Sequence, residues 1–217
     1  MGRQPSIFNL PNAMSNIPII VFSDYVCPWC FMAESGLDLL RETHTVQVEW
    51  KAFELRPAGS PPIPAEYRAR IRAGNSQMLA IARERFGLEL NGVEPKESGA
   101  SFLAHVGAKY AIENGKGPDY HHAVFAAHWQ EEKDIASAET LVEIAKRVGL
   151  GEAEFRAALE NPRYAAQVRE EEEWAKRHGL GGVPAFIFGN RYLVSGAQPV
   201  EVLREVAERC VAEGLVV

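Results

Sequence analysis

The amino-acid sequence predicts an α/β protein in which a long helical block separates two groups of β-strands. Three observations lead to this prediction. The apolar, β-branched run at 17–22 is typical of a short buried strand. Residues from about 64 to 178 have helical character almost throughout, and strand character returns at 185–194. The predicted order is therefore β-α-β, the helical block, then β-β-α, with the two flanking halves paired in one sheet around the insertion.

The first half of the sheet is predicted from apolar and polar periodicity. The run Ile19–Phe22 forms a strand that leads directly into the segment Cys27–Cys30. Pro28 suits the first position of a helix, because the N–H that proline lacks would be unpaired there. Apolar positions continue this helix over 31–41, and the alternation of apolar and polar residues over 45–53 predicts a second strand.

End signals divide the later elements. Ser137 is a predicted N-cap before an amphipathic helix that stops at Gly149. Asn161-Pro162 opens another helix as N-cap and first-turn proline. Gly189-Asn190, between two short strands, indicates a hairpin, and the last helix is predicted over 199–213.

These elements predict a division into domains. Residues 17–60 and 180–217 are expected to form one discontinuous α/β domain, and residues 61–179 a helical insertion domain that starts near a proline-rich stretch. Residues 1–16 are predicted to be a flexible N-terminal segment, within which Met14 is a second candidate for the natural first residue.

Composition narrows the classes of function. The chain has 217 residues, of which 47% are hydrophobic and 24% charged, as in an ordinary globular protein. A formal net charge of -6 argues against a dedicated nucleic-acid binder. Apolar stretches stay well short of the roughly 18 residues that indicate a membrane span, so no membrane partner is predicted. The first residues lack the pattern of a secretory signal, which predicts a cytoplasmic protein, although a mature periplasmic protein would lack a signal as well.

The segment Cys27-Pro28-Trp29-Cys30 carries the chemistry that the sequence indicates. Cys27 falls in the N-cap region of the predicted helix, where free N–H groups and the positive end of the helix dipole stabilise a thiolate. Such surroundings lower a cysteine pKa from about 8.5 to about 3.5–7.5. An exposed thiol of this kind beside a second thiol is suited to disulfide exchange. A reducing cytoplasm also favours catalytic or metal-binding cysteines over structural bridges.

Four segments of the chain resemble a known family. They are Phe22–Cys30 (FSDYVCPWC), Phe53–Pro57 (FELRP), Gly181–Phe186 (GGVPAF) and Val194–Pro199 (VSGAQP). With the order of elements, they resemble the thioredoxin-like fold carrying a large all-helical insertion, and more narrowly the DsbA family of thiol–disulfide oxidoreductases in its FrnE-like branch. FrnE-like proteins can carry an additional C-terminal cysteine pair, whereas this chain has the single Cys210 there, which puts any function of that second pair in doubt.

This resemblance implies disulfide exchange with protein or small-molecule thiols and disulfides, glutathione among them. Cys27 is then the nucleophile, whose thiolate attacks or whose disulfide is attacked by a partner thiol, and Cys30 resolves the mixed disulfide. No dissociable cofactor is expected, because the cysteine pair itself stores the two electrons. The insertion is expected to form one wall of the site, and both a monomer and a homodimer are compatible with the sequence.

The resemblance also assigns roles to residues around the cysteines. Pro28 and Trp29 are expected to tune the redox balance and to contact the substrate. Pro184 is expected to follow a cis peptide bond and to face the cysteines, and the exposed backbone of Val183 to hydrogen-bond an extended substrate segment like an added strand. Asp24 lies close to the thiols in the chain, and it either assists proton transfer or only shapes its loop.

Three alternatives stay open at the level of the sequence. Zinc normally takes four ligands, and no second ligand pair accompanies the CxxC motif, so no metal is predicted. Glutathione-dependent enzymes of the hydroxychromene-carboxylate isomerase and kappa transferase types resemble the chain in architecture, but they typically have a serine at the position of Cys27. A chaperone or interaction module would bind partners through an apolar groove and would keep its activity after Cys27→Ser.

Other conspicuous side chains are predicted to have ordinary roles. Cys210 follows the apolar spacing of the last helix and is expected to pack as a small hydrophobe. His121, His122 and His128 do not have the i, i+4 spacing of paired ligands and are expected to pack or to face solvent. The charge run Glu170–Glu173 is predicted to be a solvated helix face.

Overall fold

The computed structural model describes residues 16–91, 94 and 100–217, and it confirms the predicted α/β fold. The sheet and its crossover helix consist of β1 (Ile17–Ser23), α1 (Pro28–Arg41), β2 (Val46–Ala52), β3 (Ala185–Phe188) and β4 (Tyr192–Ser195). The strand order is β2-β1-β3-β4. β1 and β2 are parallel, as a crossover helix requires, whereas β3 is antiparallel to both β1 and β4. The two halves of the chain therefore pair around the insertion, as predicted.

The insertion is helical in the residues that the structure describes. Its helices are α2 (Ala65–Phe86), α3 (Phe102–Glu113), α4 (Gly117–Trp129), α5 (Ala138–Arg147), α6 (Glu152–Leu159) and α7 (Pro162–Arg177), and α8 (Val200–Ala212) follows the sheet. The side chains of Ser137 and Asn161 accept backbone N–H groups at the starts of α5 and α7, so both predicted N-caps are confirmed. The domain boundaries stay a prediction, and the predicted flexible segment 1–16 lies outside the described residues apart from Asn16.

Both faces of β1 are covered by helices, which explains why its sequence is apolar almost throughout. Ile19 and Val21 pack on one face in a cluster with residues of α1 and α8. Cys210 is fully buried in the same cluster, which confirms its packing role. On the other face Phe22 stacks on Trp174 of α7, with ring centroids 5.3 Å apart. The end of β1 is thereby fixed between the sheet helices and the insertion.

The insertion also holds the loop between β1 and α1. The indole N–H of Trp129 donates to the Tyr25 carbonyl at 2.9 Å, and the Tyr25 hydroxyl is 3.0 Å from Nδ1 of His121. Phe125 packs edge-on against the Tyr25 ring and stacks on Phe31, with centroids 5.1 and 5.3 Å apart. Helix α4 therefore determines the position of the loop that precedes Cys27.

Part of the glutamate run on α7 faces the sheet rather than solvent. Glu171 accepts the backbone N–H of Ala52 at 2.8 Å, and Glu172 accepts that of Glu54 at 3.2 Å. The prediction of a solvated face is therefore wrong for Glu171 and Glu172. The reason is that β2 is an edge strand, so the outward N–H groups at its end and just beyond it need acceptors, which α7 supplies.

A buried carboxyl group lies at the same junction. Glu54 is 5% exposed, and one of its oxygens accepts from the Arg169 guanidinium at 2.7 Å. Burial, followed by the negative charge of Glu172, raises the pKa of Glu54 to about 7 in spite of Arg169. The folded protein therefore holds a proton on Glu54 over a pH range in which the unfolded chain has lost it.

Two glycines inside helices predict opposite effects of added side chains. A Cβ on Gly107 would lie 2.7 Å from Cζ of Phe155 and would also meet the Tyr120 hydroxyl, whereas a Cβ on Gly74 would meet no atom within 4 Å. We expect Gly107→Ala to lower the free energy of unfolding by about 1–3 kcal/mol through overpacking. Gly74→Ala is expected to raise it by about 0.5–1 kcal/mol through helix propensity. Urea unfolding of both variants tests this, and a shift of the same sign in both would contradict the packing described here.

The Glu54 carboxyl predicts a pH-dependent stability. The pKa of this carboxyl is about 7 in the folded protein and near 4.5 in the unfolded chain. Between these two pH values the folded state therefore holds a proton that the unfolded chain has lost. Its contribution is fully present below pH 4.5 and declines as the pH rises through 7, by at most about 3.4 kcal/mol at 1.36 kcal/mol per pKa unit. We expect Glu54→Gln to remove this decline in urea-unfolding measurements, while Glu201→Gln, an exposed matched control, retains it. Equal pH slopes in wild type and Glu54→Gln would refute the assignment.

Candidate active site

The two cysteines of the CxxC motif lie at the start of α1, after the short loop that follows β1. Cys27 is the N-cap of α1, with an extended backbone (φ -101°, ψ 113°), and Pro28 occupies the first helical position. The Cys27 carbonyl accepts the N–H of Cys30 at 3.0 Å, which begins the first turn. The predicted helix start is therefore correct, and it places both sulfurs at the same end of the sheet.

Both thiols are reduced and buried. Cys27 is 3% exposed and Cys30 is fully buried, so the expectation of an exposed nucleophile is wrong. The reason is the loop before β3, because the Cys27 thiol donates a hydrogen bond to the carbonyl of Val183 at 3.7 Å. Trp29, at 38% exposed, is the most exposed residue of the motif, and Pro28 is half-buried.

Cys30 is in surroundings that resist its ionisation. Burial, and then the hydrogen bond and charge of the neighbouring Cys27, raise the pKa of Cys30 well above its ordinary value. The backbone N–H of Asp24, 3.5 Å from the Cys30 sulfur, and the side chain of Ser23 oppose this rise. Cys30 is thus a thiol that needs its proton removed before it can attack.

The loop opposite the cysteines contains Val183 and Pro184. The peptide bond between them is cis, and Gly196 donates its N–H to the Pro184 carbonyl at 2.8 Å. Pro184 is buried, whereas Val183 is half-buried with its carbonyl at Cys27. A cavity of about 390 Å³ adjoins both residues, with Leu193 of the edge strand β4 on its wall. The predicted residue Val183 is thus beside the Cys27 thiol, and Val183 and Pro184 both line this cavity.

Asp24 is fully buried at the base of this site. Its two carboxylate oxygens accept the backbone N–H groups of Leu55 at 2.7 Å and of Val26 at 3.3 Å, so the side chain does shape the loop. The first of these bonds also ties the FELRP segment to the cysteine loop.

Sequence reasoning missed His105 of α3, whose Nε2 lies 3.6 Å from Asp24 Oδ1. Nothing in the sequence signals this pair, because the insertion brings it together from distant positions.

Neither a metal centre nor a membrane-spanning helix is present in the part of the chain that the structure describes. Over residues 16–91, 94 and 100–217, His, Cys, Asp and Glu side chains form no group of three that could hold a metal ion. His121 and His128 are buried among aromatic rings, and His122 is exposed beside Glu34. No helix in these ranges is long and apolar enough to cross a bilayer.

The sequence is similar to characterised and uncharacterised bacterial proteins. A model of the DSBA-like thioredoxin domain matches residues 18–207. The uncharacterized protein YwbO of Bacillus subtilis is 33% identical over 183 residues, which cover 83% of this chain and 91% of that protein. The thiol:disulfide interchange protein DsbA of Bordetella pertussis is 29% identical over 86 residues, 40% of this chain and 41% of that protein.

Solved structures share the fold over most of the chain. A probable DsbA oxidoreductase of Streptomyces coelicolor, SCO1869, has a TM-score of 0.80 at 29% identity and covers 91% of both chains. A 2-hydroxychromene-2-carboxylate isomerase has a TM-score of 0.76 at 17% identity, and the match covers 91% of this chain and 97% of that one. The cytosolic disulfide reductase DsbM of Pseudomonas aeruginosa, solved with GSH, has a TM-score of 0.66 at 21% identity, and the match covers 88% of this chain and 99% of that one. The family match over residues 18–207 and the placement of CPWC at the start of α1 lead to one conclusion: this chain belongs to the family of the DSBA-like thioredoxin domain.

Proposed function

We propose that the chain is a thiol–disulfide oxidoreductase of the FrnE-like branch, which exchanges disulfides with protein or small-molecule thiols through Cys27 and Cys30. The observation that supports this most directly is the adjacency of two reduced thiols at the start of α1, with the Val183 carbonyl at the outer one. The FSDYVCPWC and FELRP segments support the choice of branch.

Each of the two cysteines has its own role in the proposed exchange. The thiolate of Cys27 attacks one sulfur of a substrate disulfide and forms a mixed disulfide, and the other substrate sulfur leaves as a thiolate. Cys30 then attacks the Cys27 sulfur, which releases the second substrate thiol and leaves a Cys27–Cys30 disulfide. The reverse sequence oxidises a substrate dithiol. Both directions use the same two sulfurs and require no other redox group.

The surroundings of the thiols suggest how a substrate binds. Trp29 offers an exposed indole beside Cys27, and the half-buried backbone of Val183 is available to an extended segment. The cavity of about 390 Å³ beside Val183 and Pro184 would take a side chain or part of a small thiol. Glutathione is a reasonable small substrate, since DsbM, which shares the fold, has been solved with GSH and is described as cytosolic. We propose a cytoplasmic site of action on the same ground.

A second candidate is glutathione-dependent isomerase chemistry. The observation that favours it is the shared fold of the 2-hydroxychromene-2-carboxylate isomerase. Such chemistry does not use a resolving thiol, whereas the chain has Cys30 fully buried against Cys27. The exchange function therefore accounts for more of the site.

The reduction potential of the cysteine pair tests the proposed function. In glutathione redox buffers we expect a single two-electron transition, measured by counting free thiols after acid quenching. Cys27→Ser is expected to abolish it, and Cys30→Ser to accumulate a mixed disulfide between glutathione and Cys27. Cys210→Ser, whose thiol lies buried in the other cluster, is the matched control and should titrate like the wild type. If no disulfide forms at any ratio of glutathione to its disulfide, the exchange function is wrong and isomerase chemistry becomes the favoured function.

Trp29 predicts a preference for apolar peptide substrates. Trp29→Ala removes the exposed indole, and we expect kcat/KM for an apolar peptide disulfide to fall about 10-fold, the loss of roughly 1.4 kcal/mol of apolar contact. Glutathione disulfide, which lacks an apolar side chain, should be affected less. Leu39→Ala is the control, because Leu39 is 37% exposed on the same helix, against 38% for Trp29. Equal losses in the two variants would argue against a substrate contact at Trp29.

A further inference from the structure

We propose that the cavity between the sheet, α3 and α7 binds a small organic carboxylate with an apolar body. The cavity has a volume of about 630 Å³, which is within the range of ligand pockets in proteins. Among the described residues, neither the two thiols nor the loop before β3 lines it. It is therefore distinct from the site of the proposed exchange, and the inference does not rest on that function.

One part of the cavity wall is apolar. Ile20 and Phe22 of β1 line it from the sheet, and the ring of Trp174 stacks on that of Phe22. Ile112 of α3, which is 46% exposed, lines it from the insertion. A ligand with an apolar chain or ring would remove these surfaces from water, which favours binding.

Two lysines form the polar part of the wall, and they share one carboxylate. Lys109 of α3 is 8% exposed, and its Nζ lies 2.5 Å from Glu171 Oε2 and 3.5 Å from the Trp50 carbonyl. The Nζ of Lys51 lies 3.3 Å from Oε1 of the same carboxylate and 2.5 Å from Glu49. An ammonium group has three N–H donors, so in the part of the chain that the structure describes one donor of each lysine is left for a ligand.

The inner part of this polar wall has an excess of positive charge. Glu171 also accepts the N–H of Ala52, so a single carboxylate serves three donors. Glu49, the second partner of Lys51, has a side chain that is 59% exposed, and an exposed ion pair of this kind contributes little. Burial lowers the pKa of Lys109 in spite of Glu171, because one shared carboxylate does not make up for the lost hydration. A ligand carboxylate between the two ammonium groups would supply the missing negative charge.

Two further glutamates line the cavity, but they do not make it a cation site. Glu113 is paired with the Arg163 guanidinium, and Glu170 is exposed. Their charges are therefore neutralised or screened by water. Lys51 and Lys109, in contrast, are half-buried and buried, so their charges act more strongly on a ligand. The favoured ligand is an anion whose carboxylate meets the lysines and whose body covers the apolar part of the wall.

Three probes with the same apolar body test the charge of the ligand. We titrate 4-phenylbutyrate, 4-phenylbutanol and 4-phenylbutylamine into the reduced full chain at pH 7 and follow chemical shifts by NMR. We expect 4-phenylbutyrate to bind with a Kd of about 1 mM or lower, and at least about 10-fold more tightly than the alcohol. Absence of carboxylate binding up to about 10 mM would overturn the proposal. Tighter binding of the amine, or equal binding of the alcohol, would overturn it as well.

Lysine variants test the position of the ligand. Lys51→Gln and Lys109→Gln are each expected to weaken binding of 4-phenylbutyrate at least about 10-fold, because each removes a charge-assisted hydrogen bond. Lys133→Gln is the matched control. Lys133 also contacts two glutamates, Glu131 at 3.1 Å and Glu143 at 3.6 Å, but it does not line the cavity. This variant should bind the probe like the wild type.

Ile112→Glu keeps the test decisive if a lysine variant does not fold, which circular dichroism establishes. It adds a negative charge at an exposed position of the wall and should also weaken binding of the carboxylate at least about 10-fold. If the folded variants at Lys51, Lys109 and Ile112 bind 4-phenylbutyrate like the wild type, the ligand lies elsewhere and the proposal is overturned. The redox titration of Cys27 and Cys30 is a separate measurement, so failure of either proposal leaves the other standing.

Discussion

The hydrogen bond from the Trp129 indole to the Tyr25 carbonyl fixes the loop on which the rest of the site depends. This loop follows β1, and its last residue is the N-cap of α1, so a shift of Tyr25 would move both thiols. The Tyr25 side chain is held as well, by the contact of its hydroxyl with His121 and by T-shaped packing with the Phe125 ring. The CPWC motif lies at the end of β1, but its position is therefore set by α4.

The burial of the thiols changes how reactivity must arise. A thiolate in a dry interior is unfavourable unless hydrogen bonds or charges compensate for lost hydration. The Cys27 thiol donates a hydrogen bond to the Val183 carbonyl. For Cys30 the compensation comes from the Asp24 N–H and the Ser23 side chain, against burial and Cys27. The two thiols thus differ in their hydrogen bonds, because the Cys27 thiol donates to a carbonyl whereas the Cys30 sulfur accepts from a backbone N–H.

The sequence predicts those features that are set locally and fails where contacts are distant. Ser137 and Asn161 cap helices because their side chains reach the next turn, and Gly189-Asn190 forms the hairpin because both residues adopt positive φ. Glu171 looks solvated in sequence, yet it accepts an N–H from β2, because a charge run does not reveal which strand edge lies beside it. His105 had no signal at all for the same reason. The exposure of Cys27 was mispredicted because the covering loop comes from the far end of the chain.

The contacts that the sequence does not reveal lie in one region of the molecule, around the loops that follow β1 and β2. The missed contacts join the insertion or the loop before β3 to the segments that follow β1 and β2 or to the last residue of β2. Among them, Asp24, whose backbone N–H lies 3.5 Å from the Cys30 sulfur, has its carboxylate 3.6 Å from His105 of the insertion. β1 itself offers apolar side chains at Ile19 and Val21, so the sheet contributes little charge to the thiols. The redox balance of the pair must then depend on the loop and on the insertion. Substitutions in the insertion would therefore alter the surroundings of Cys30 without any change in the CPWC motif.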